Sequence, residues 1–303
     1  MILCICLSPA VDVTYHVGRV MAGGTNRVRS AARRPGGKAV NVARLLHVLG
    51  EPVRLLAPVG GSAGSEFAAD LAALGLAADL VPNGPATRST VTIVDDAGTA
   101  TVFVEPAPLD SWPAVLNRAQ DAIAAADVVV VSGRVPTGAP PGAIGELVRL
   151  VSGAGRSMLV DTSGPPLLDA LRARPTVVKP NAEELAEVTG DPEPERAARA
   201  LTAEFGCTVV VSLGEKGVFV AAPHGEWRAR PAGPLHGNPT GAGDALVAGL
   251  ARGLVSGPPF EDMLRDAVGL AAAAVLSPYA GEIDLERYRE QRAGVVVEAG
   301  VSR

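Results

Sequence analysis

From about residue 113 onward, amphipathic stretches and short apolar runs take turns along the chain. PAVLNRAQDAIAAA carries a helical period, VVVVSG is an unbroken apolar run, GAIGELVRLV is helical again, and SMLVDTS reads as a strand. A helix near 166–173 and the strand TVVKPN follow. Helices from Ala182 and Glu193, the strand CTVVVSL, a GEKG turn and two short strands around Val218 to Ala222 and Trp227 to Arg230 continue the rhythm, and two helices are expected to close the chain. Val-rich runs that are continuous rather than alternating mark strands covered on both faces. The pattern therefore predicts an α/β fold with a mostly parallel sheet and helices on each side.

The N-terminal third follows a different rule. MILCICLSPAVDV begins as a buried strand, and Ala39 to Leu49 and Gly64 to Leu74 return to a helical period. Residues 10–35, by contrast, are polar, hold five arginines and show no such period. ATRSTVTIVDDAGTATVFVE alternates at period two around a DDAG turn, which predicts a half-exposed hairpin. The two odd pieces, about 10–35 and 86–105, are expected to meet as a small β-sheet lid outside the main sheet. No Pro/Ser-rich linker, low-complexity tract or internal repeat divides the chain, so residues 1–303 are read as one domain.

Composition narrows the function. Hydrophobic residues make up 48% of 303 and aromatics only 3%, so the interior must be built from Ala, Val and Leu. A formal charge of -5 offers no general attraction for nucleic acid or anionic lipid, and any anion must be held locally. Cys4, Cys6 and Cys207 have neither CxxC spacing nor an even count, which argues against a disulfide framework or a zinc site. The apolar start lacks a basic flank and is too short for a signal peptide, and Ala267 to Gly281 is shorter than a bilayer span. A cytoplasmic protein with no membrane partner is the expectation. The four histidines are scattered and receive no role.

Three stretches carry candidate chemistry. In GNPTGAGDALVAGLARGL, from Gly237, the glycines stand at a helix N-terminus with Asp244 in its first turn. Free N–H groups and the helix dipole converge there, so Gly241, Ala242 and Gly243 suit a phosphoryl group in transfer, with Asp244 as a base for the attacking hydroxyl. An ordinary capping turn fits the same residues. In RRPGGKAVNVARLLHVLG, from Arg33, Gly36 and Gly37 precede a helix that carries Lys38 and Asn41 on its opening turns; a glycine turn with a solvated lysine is the alternative. In KPNAEEL, Asn181 and Glu184 have capping-box spacing, and they serve either as a cap or as organisers of phosphate and magnesium in the crevice beyond the strand ends. Only three of the 27 basic residues are lysines, Lys38, Lys179 and Lys216, each in a Gly- or Pro-marked turn, which suits ammonium groups retained for phosphate, with chance survival as the alternative. GxGxxG and GxxxxGK[ST] are both absent, which weakens dehydrogenase and Walker-type readings.

Taken in order, NPTGAGDALVAGL, PGGKAVNVARLLHVLG, VVKPNAEEL and VVVSLGEKGVFV resemble the PfkB carbohydrate kinase family over essentially the whole chain. LSPAVDVTY, PATRSTVTI and VEPAP are most similar to the branch that contains 1-phosphofructokinase and tagatose-6-phosphate kinase. The resemblance implies a ribokinase-like three-layer αβα fold with a β-sheet lid, and ATP-dependent phosphorylation of a hexose phosphate hydroxyl. It implies Asp244 as catalytic base and Gly241, Ala242 and Gly243 as anion hole. Asp12, Gly37, Lys38 and Asn41 would orient the sugar, with Arg88 and Lys38 on its existing phosphate. ATP would lie along Ser212, Gly214 and Gly217, with Lys179, Asn181 and Glu184 toward its phosphates and Mg²⁺, Glu184 reaching the metal through water. A homodimer through the lid is implied as well. Ala39, Ser8, Ala107 and Arg134 depart from the family pattern near the acceptor pocket and leave the substrate open. Arg134 fits either a second phosphate ligand or the crevice rim. A kinase for an unphosphorylated sugar or nucleoside, and a non-catalytic sugar- or nucleotide-binding regulator, are the competing readings.

Overall fold

The computed structural model describes residues 1–277 and 279–300. The chain opens with β1 (Ile2–Ile5), β2 (Ala10–His16), β3 (Ser30–Gly36), α1 (Lys38–Val48), β4 (Val53–Val59), α2 (Gly61–Ala73) and β5 (Ala78–Pro82). Next come β6 (Arg88–Val94), β7 (Ala100–Val104), α3 (Trp112–Ala124), β8 (Val128–Ser132), α4 (Ala143–Gly153), β9 (Ser157–Asp161), α5 (Pro165–Arg172) and β10 (Val177–Val178). Then follow α6 (Ala182–Thr189), α7 (Pro194–Phe205), β11 (Thr208–Ser212), β12 (Val218–Ala222) and β13 (Gly225–Arg230). The chain finishes with α8 (Ala242–Ser256), α9 (Phe260–Val275), α10 (Leu285–Gly294) and β14 (Val296–Ala299).

Ten strands form the main sheet in the order β14-β13-β12-β11-β10-β9-β8-β1-β4-β5. The strands from β11 to β5 run parallel and the other three antiparallel. Side chains of β1 alternate between two apolar layers: Ile2 and Cys4 pack with α1, α8 and α9, while Leu3 and Ile5 pack with α3, α4 and α7. The buried Val128–Val131 run divides in the same way, which is why it shows no polar alternation. Small residues set the spacing of the first layer. A Cβ on Gly249 of α8 would lie 2.4 Å from Ala267 Cα of α9, so the two helices touch backbone to backbone.

The chain builds β1, β4 and β5 in one direction and then returns to place β8 on the other side of β1. Such a switch point opens a crevice beyond the carboxyl ends of the strands. The lid segments do come together over it: β3-β2-β6-β7 form a second, four-stranded sheet, with β2 central and β7 exposed along its whole length.

The expected ending of two helices is corrected to three helices and a strand. α10, LERYREQRAG, is mostly charged and buries only Tyr288, so it carries no apolar stripe for sequence reasoning to find. The short Val-rich run after it pairs antiparallel with β13. Among the described residues, no helix is long and apolar enough to cross a membrane.

Candidate active site

Asp244 lies in the first turn of α8, buried, and its Oδ2 accepts a 2.8 Å hydrogen bond from Asn41 Nδ2 on α1. Two motifs 203 positions apart thus meet at one carboxylate. Burial, and then the neighbouring Asp161 charge, push its pKa up to about 7, against the pull of Asn41 and the two lysines nearby. Gly241, the residue before the helix, has φ +88°, and a Cβ there would sit 2.9 Å from Ala280 Cα, so only glycine suits this turn. Among the described residues the amides of Gly241, Gly243 and Asp244 have no acceptor, whereas the Ala242 N–H donates to Pro239 O at 3.2 Å. Three adjacent amides, those of Gly241, Gly243 and Asp244, are therefore unbonded at this helix start and make the candidate anion cradle.

Beside Asp244 sits a group that the motifs did not name. Asp161, at the carboxyl end of β9, is 1% exposed and takes Lys179 Nζ at 3.2 Å, Lys38 Nζ at 3.5 Å and the Ser132 hydroxyl at 2.8 Å. Burial works against its charge, but the two ammonium groups and the hydroxyl outweigh it and hold Asp161 below the usual carboxylate range. Lys38 pays a burial penalty of its own, yet the charges of Asp161, Glu184 and Asp244 keep it above the ordinary lysine value. Lys179 is buried and stands about a carbon's width from the cradle, 3.7 Å from where a Cβ on Gly243 would be. Two of the three lysines thus converge. The third, Lys216, is exposed on a turn and does not join them.

A second group of the expected residues lies on the lid side. Gly37, with φ +110°, starts α1 where a Cβ would meet Cys6 Sγ at 2.9 Å. A Cβ on Gly36 would lie 2.0 Å from Asp12 Oδ2, so the Asp12 carboxylate of β2 covers that glycine. Burial raises the Asp12 pKa, partly offset by Arg88, a Thr90 hydrogen bond and Arg44. Arg88, at the start of β6, makes only long contacts: Nη2 to Ser8 O at 3.3 Å, and Nη1 to Glu105 O and Thr90 Oγ1 at 3.4 Å each. Its Nε is buried without a partner, which leaves donor capacity for an oxyanion. Arg134 is exposed, past the carboxyl end of β8.

On the far side of Asp244 lies a cavity of about 450 Å³, a size suited to a nucleotide. Asn181, Ser212, Gly214, Gly217 and Gly243 line it together with apolar residues of α9. Gly217 has φ +81°, and a Cβ there would collide with Ala229 O of β13 at 2.1 Å, so only glycine lets this turn lie against the strand. Asn181 and Glu184 do form a capping box: Glu184 N–H donates to Asn181 Oδ1 at 2.8 Å and Asn181 N–H to Glu184 Oε2 at 2.9 Å. The cap reading is realised, and it fixes Asn181 at the edge of the cavity.

An α/β fold with a β-sheet lid, a lysine-rich junction and a carboxylate between two binding walls defines a phosphotransferase with an alcohol acceptor. The model of the pfkB family carbohydrate kinases matches residues 1–287, and the chain belongs to that family. It is 33% identical to a 1-phosphofructokinase of Xanthomonas campestris pv. campestris, with 97% of each chain covered. It is 35% identical to a 1-phosphofructokinase of Rhodobacter capsulatus over 89% of each. Among solved structures it resembles the Escherichia coli phosphofructokinase-2 in complex with potassium, with a TM-score of 0.90, 25% identity and coverage of 97% and 98%.

Proposed function

We propose that this ATP-dependent sugar-phosphate kinase is a 1-phosphofructokinase, transferring the terminal phosphoryl group of ATP to the free C6 hydroxyl of fructose 1-phosphate. The observation that carries the mechanism is the position of Asp244, hydrogen-bonded to the acceptor-side Asn41 and standing beside three amides without acceptors. Asp244 takes the hydroxyl proton as the sugar oxygen forms its bond to phosphorus, and the bond to the leaving ADP oxygen breaks. The amides of Gly241, Gly243 and Asp244 hold the equatorial oxygens in transit, where preorganised donors contribute most. Lys179 and Lys38, held by Asp161, offset the repulsion between two anionic reactants.

Arg88, with Lys38, would take the phosphate the sugar already carries; the unpartnered Nε is the supporting observation. Asp12 and Asn41 would bind sugar hydroxyls. The nucleotide would fill the cavity along Ser212, Gly214 and Gly217. No group of three or more His, Cys, Asp or Glu among the described residues is arranged to hold a metal. The residues present therefore fit a Mg²⁺ held chiefly by phosphate oxygens and water, with Glu184, whose Oε2 alone is used by the cap, reaching it through a water. Such an ion would neutralise phosphate charge. The exposed Val102, Phe103 and Val104 of β7 support pairing of two lids in a homodimer. Cytoplasmic location and a single kinase domain over residues 1–303, with lid segments near 10–35 and 86–105, complete the reading.

ADP release measured with fructose 1-phosphate, fructose 6-phosphate, tagatose 6-phosphate, fructose and ribose tests the assignment. The highest kcat/KM is expected with fructose 1-phosphate. Preference for fructose or ribose would overturn the sugar-phosphate reading, and preference for a 6-phosphate would overturn the choice of hydroxyl.

A further inference from the structure

One short segment, Tyr279 to Glu282, touches both halves of the reacting centre. Ala280 packs against Gly241 at the start of the anion cradle, and Gly281 packs against Asn41, the partner of Asp244, where an added Cβ would come within 2.9 Å of Asn41 Oδ1. Behind the segment lies a cavity of about 310 Å³, lined in part by Arg44, His47, Leu74, Gly281 and Glu282, while the next residue, Ile283, packs against the apolar core. Charge holds the segment from the lid side. The Glu282 carboxylate is paired with Arg34 on lid strand β3 and with Arg44 Nη2 on α1 at 3.3 Å. Arg34 also stacks on Tyr279, 3.9 Å from the ring centroid, so the lid strand grips both ends of the segment.

We infer that Glu282 is a positioning residue that ties lid strand β3 to the anion cradle, so that the placement of the lid sets the placement of Gly241 and Asn41. The inference deepens the kinase reading above and rests on it for its catalytic consequence. Glu282 touches no reacting atom. It acts through Ala280 and Gly281, which lie so close to Gly241 and Asn41 that no side chain fits between them, so a displacement of the segment is passed to the cradle or to the partner of the base. A two-armed clasp of this kind also has a simple energetic signature. Cutting either arm releases the same segment, so the two losses should not add.

The test uses Glu282→Gln, which keeps the shape and removes the charge, and Arg34→Leu, which cuts the lid arm. Amide hydrogen exchange at Thr240, Ala242 and Ala245 of the substrate-free protein, whose N–H groups are bonded to Asn238 Oδ1, Pro239 O and Gly241 O, is expected to quicken by roughly tenfold in both variants, since the clasp limits local opening there. With ATP and the acceptor identified by the panel, kcat should fall about tenfold while the KM for ATP stays within about twofold, the split expected of lost positioning. The double variant should be no worse than either single one. Exchange and kcat at wild-type values, or additive losses in the double variant, would overturn the inference. The exchange measurement needs no sugar, so a failed acceptor panel would sink the proposed function and leave this result standing on its own.

Discussion

Replacing Asp244 by Asn removes a charge that the fold holds at a cost, and the cost can be worked from the structure. The carboxyl is buried beside Asp161, and its pKa moves from 3.8 to about 7. Three units at about 1.4 kcal/mol each amount to roughly 4 kcal/mol carried by the ionised form. Between pH 4 and pH 7 the folded wild type binds more protons at this position than the unfolded chain, so its stability from this group falls as pH rises through that window and levels off above it. Asn carries no such charge and can still accept the Asn41 hydrogen bond through its amide oxygen. Urea unfolding at pH 4, 5, 6, 7 and 8 should find the two proteins alike at pH 4 and the variant more stable by up to about 4 kcal/mol at pH 8. This is the gain in stability expected when a site strained for function is relieved. A variant less stable than wild type at pH 8, or a difference that does not change with pH, would refute the reasoning.

Asp161→Asn leaves Lys179 and Lys38 without their carboxylate. The loss of a buried pair costs on the order of 3–5 kcal/mol, seen as a lower urea midpoint, and removing the neighbouring negative charge should move the rising limb of kcat/KM to lower pH; an unmoved limb would count against the coupling. Arg88→Ala should raise the KM for the sugar phosphate by roughly tenfold to a hundredfold with little change for ATP, as expected for loss of a charge-assisted contact; equal KM values for wild type and variant would exclude Arg88 as a phosphate ligand. Phe103→Glu, which puts a charge in the middle of the exposed β7 face, should convert a concentration-dependent dimer to monomer in sedimentation; a wild-type protein that stays monomeric at high concentration would remove the lid interface.

What sequence could reveal depended on whether the physics was local. The Val128–Val131 run and the alternation from Arg88 onward each follow from burial of one short segment, and both became the expected elements. Gly241 before α8 was legible because backbone conformation demands glycine there, close to Asp244 in sequence. Asp161 was not. A lone aspartate closing a strand looks like any strand end, and its surroundings come from Lys38, Lys179 and Ser132 arriving from elsewhere in the chain; the one usable signal was its position at the carboxyl end of a buried apolar strand. The bond from Ala242 N–H to Pro239 O was hidden for another reason: it is local, but it depends on a turn geometry that residue identity does not specify. Glu282 lies in a segment without apolar period or motif, and its two arginine partners are 248 and 238 positions away.

The role of Asp244 as the base is tested most directly by kcat/KM for fructose 1-phosphate between pH 5 and pH 9, measured for wild type and Asp244→Asn side by side. The wild-type rate should rise with pH around a midpoint near 7, while the variant should lack that limb and run slower by about 10²- to 10⁴-fold. A flat wild-type profile across this range, or a variant within tenfold of wild type, would contradict the account.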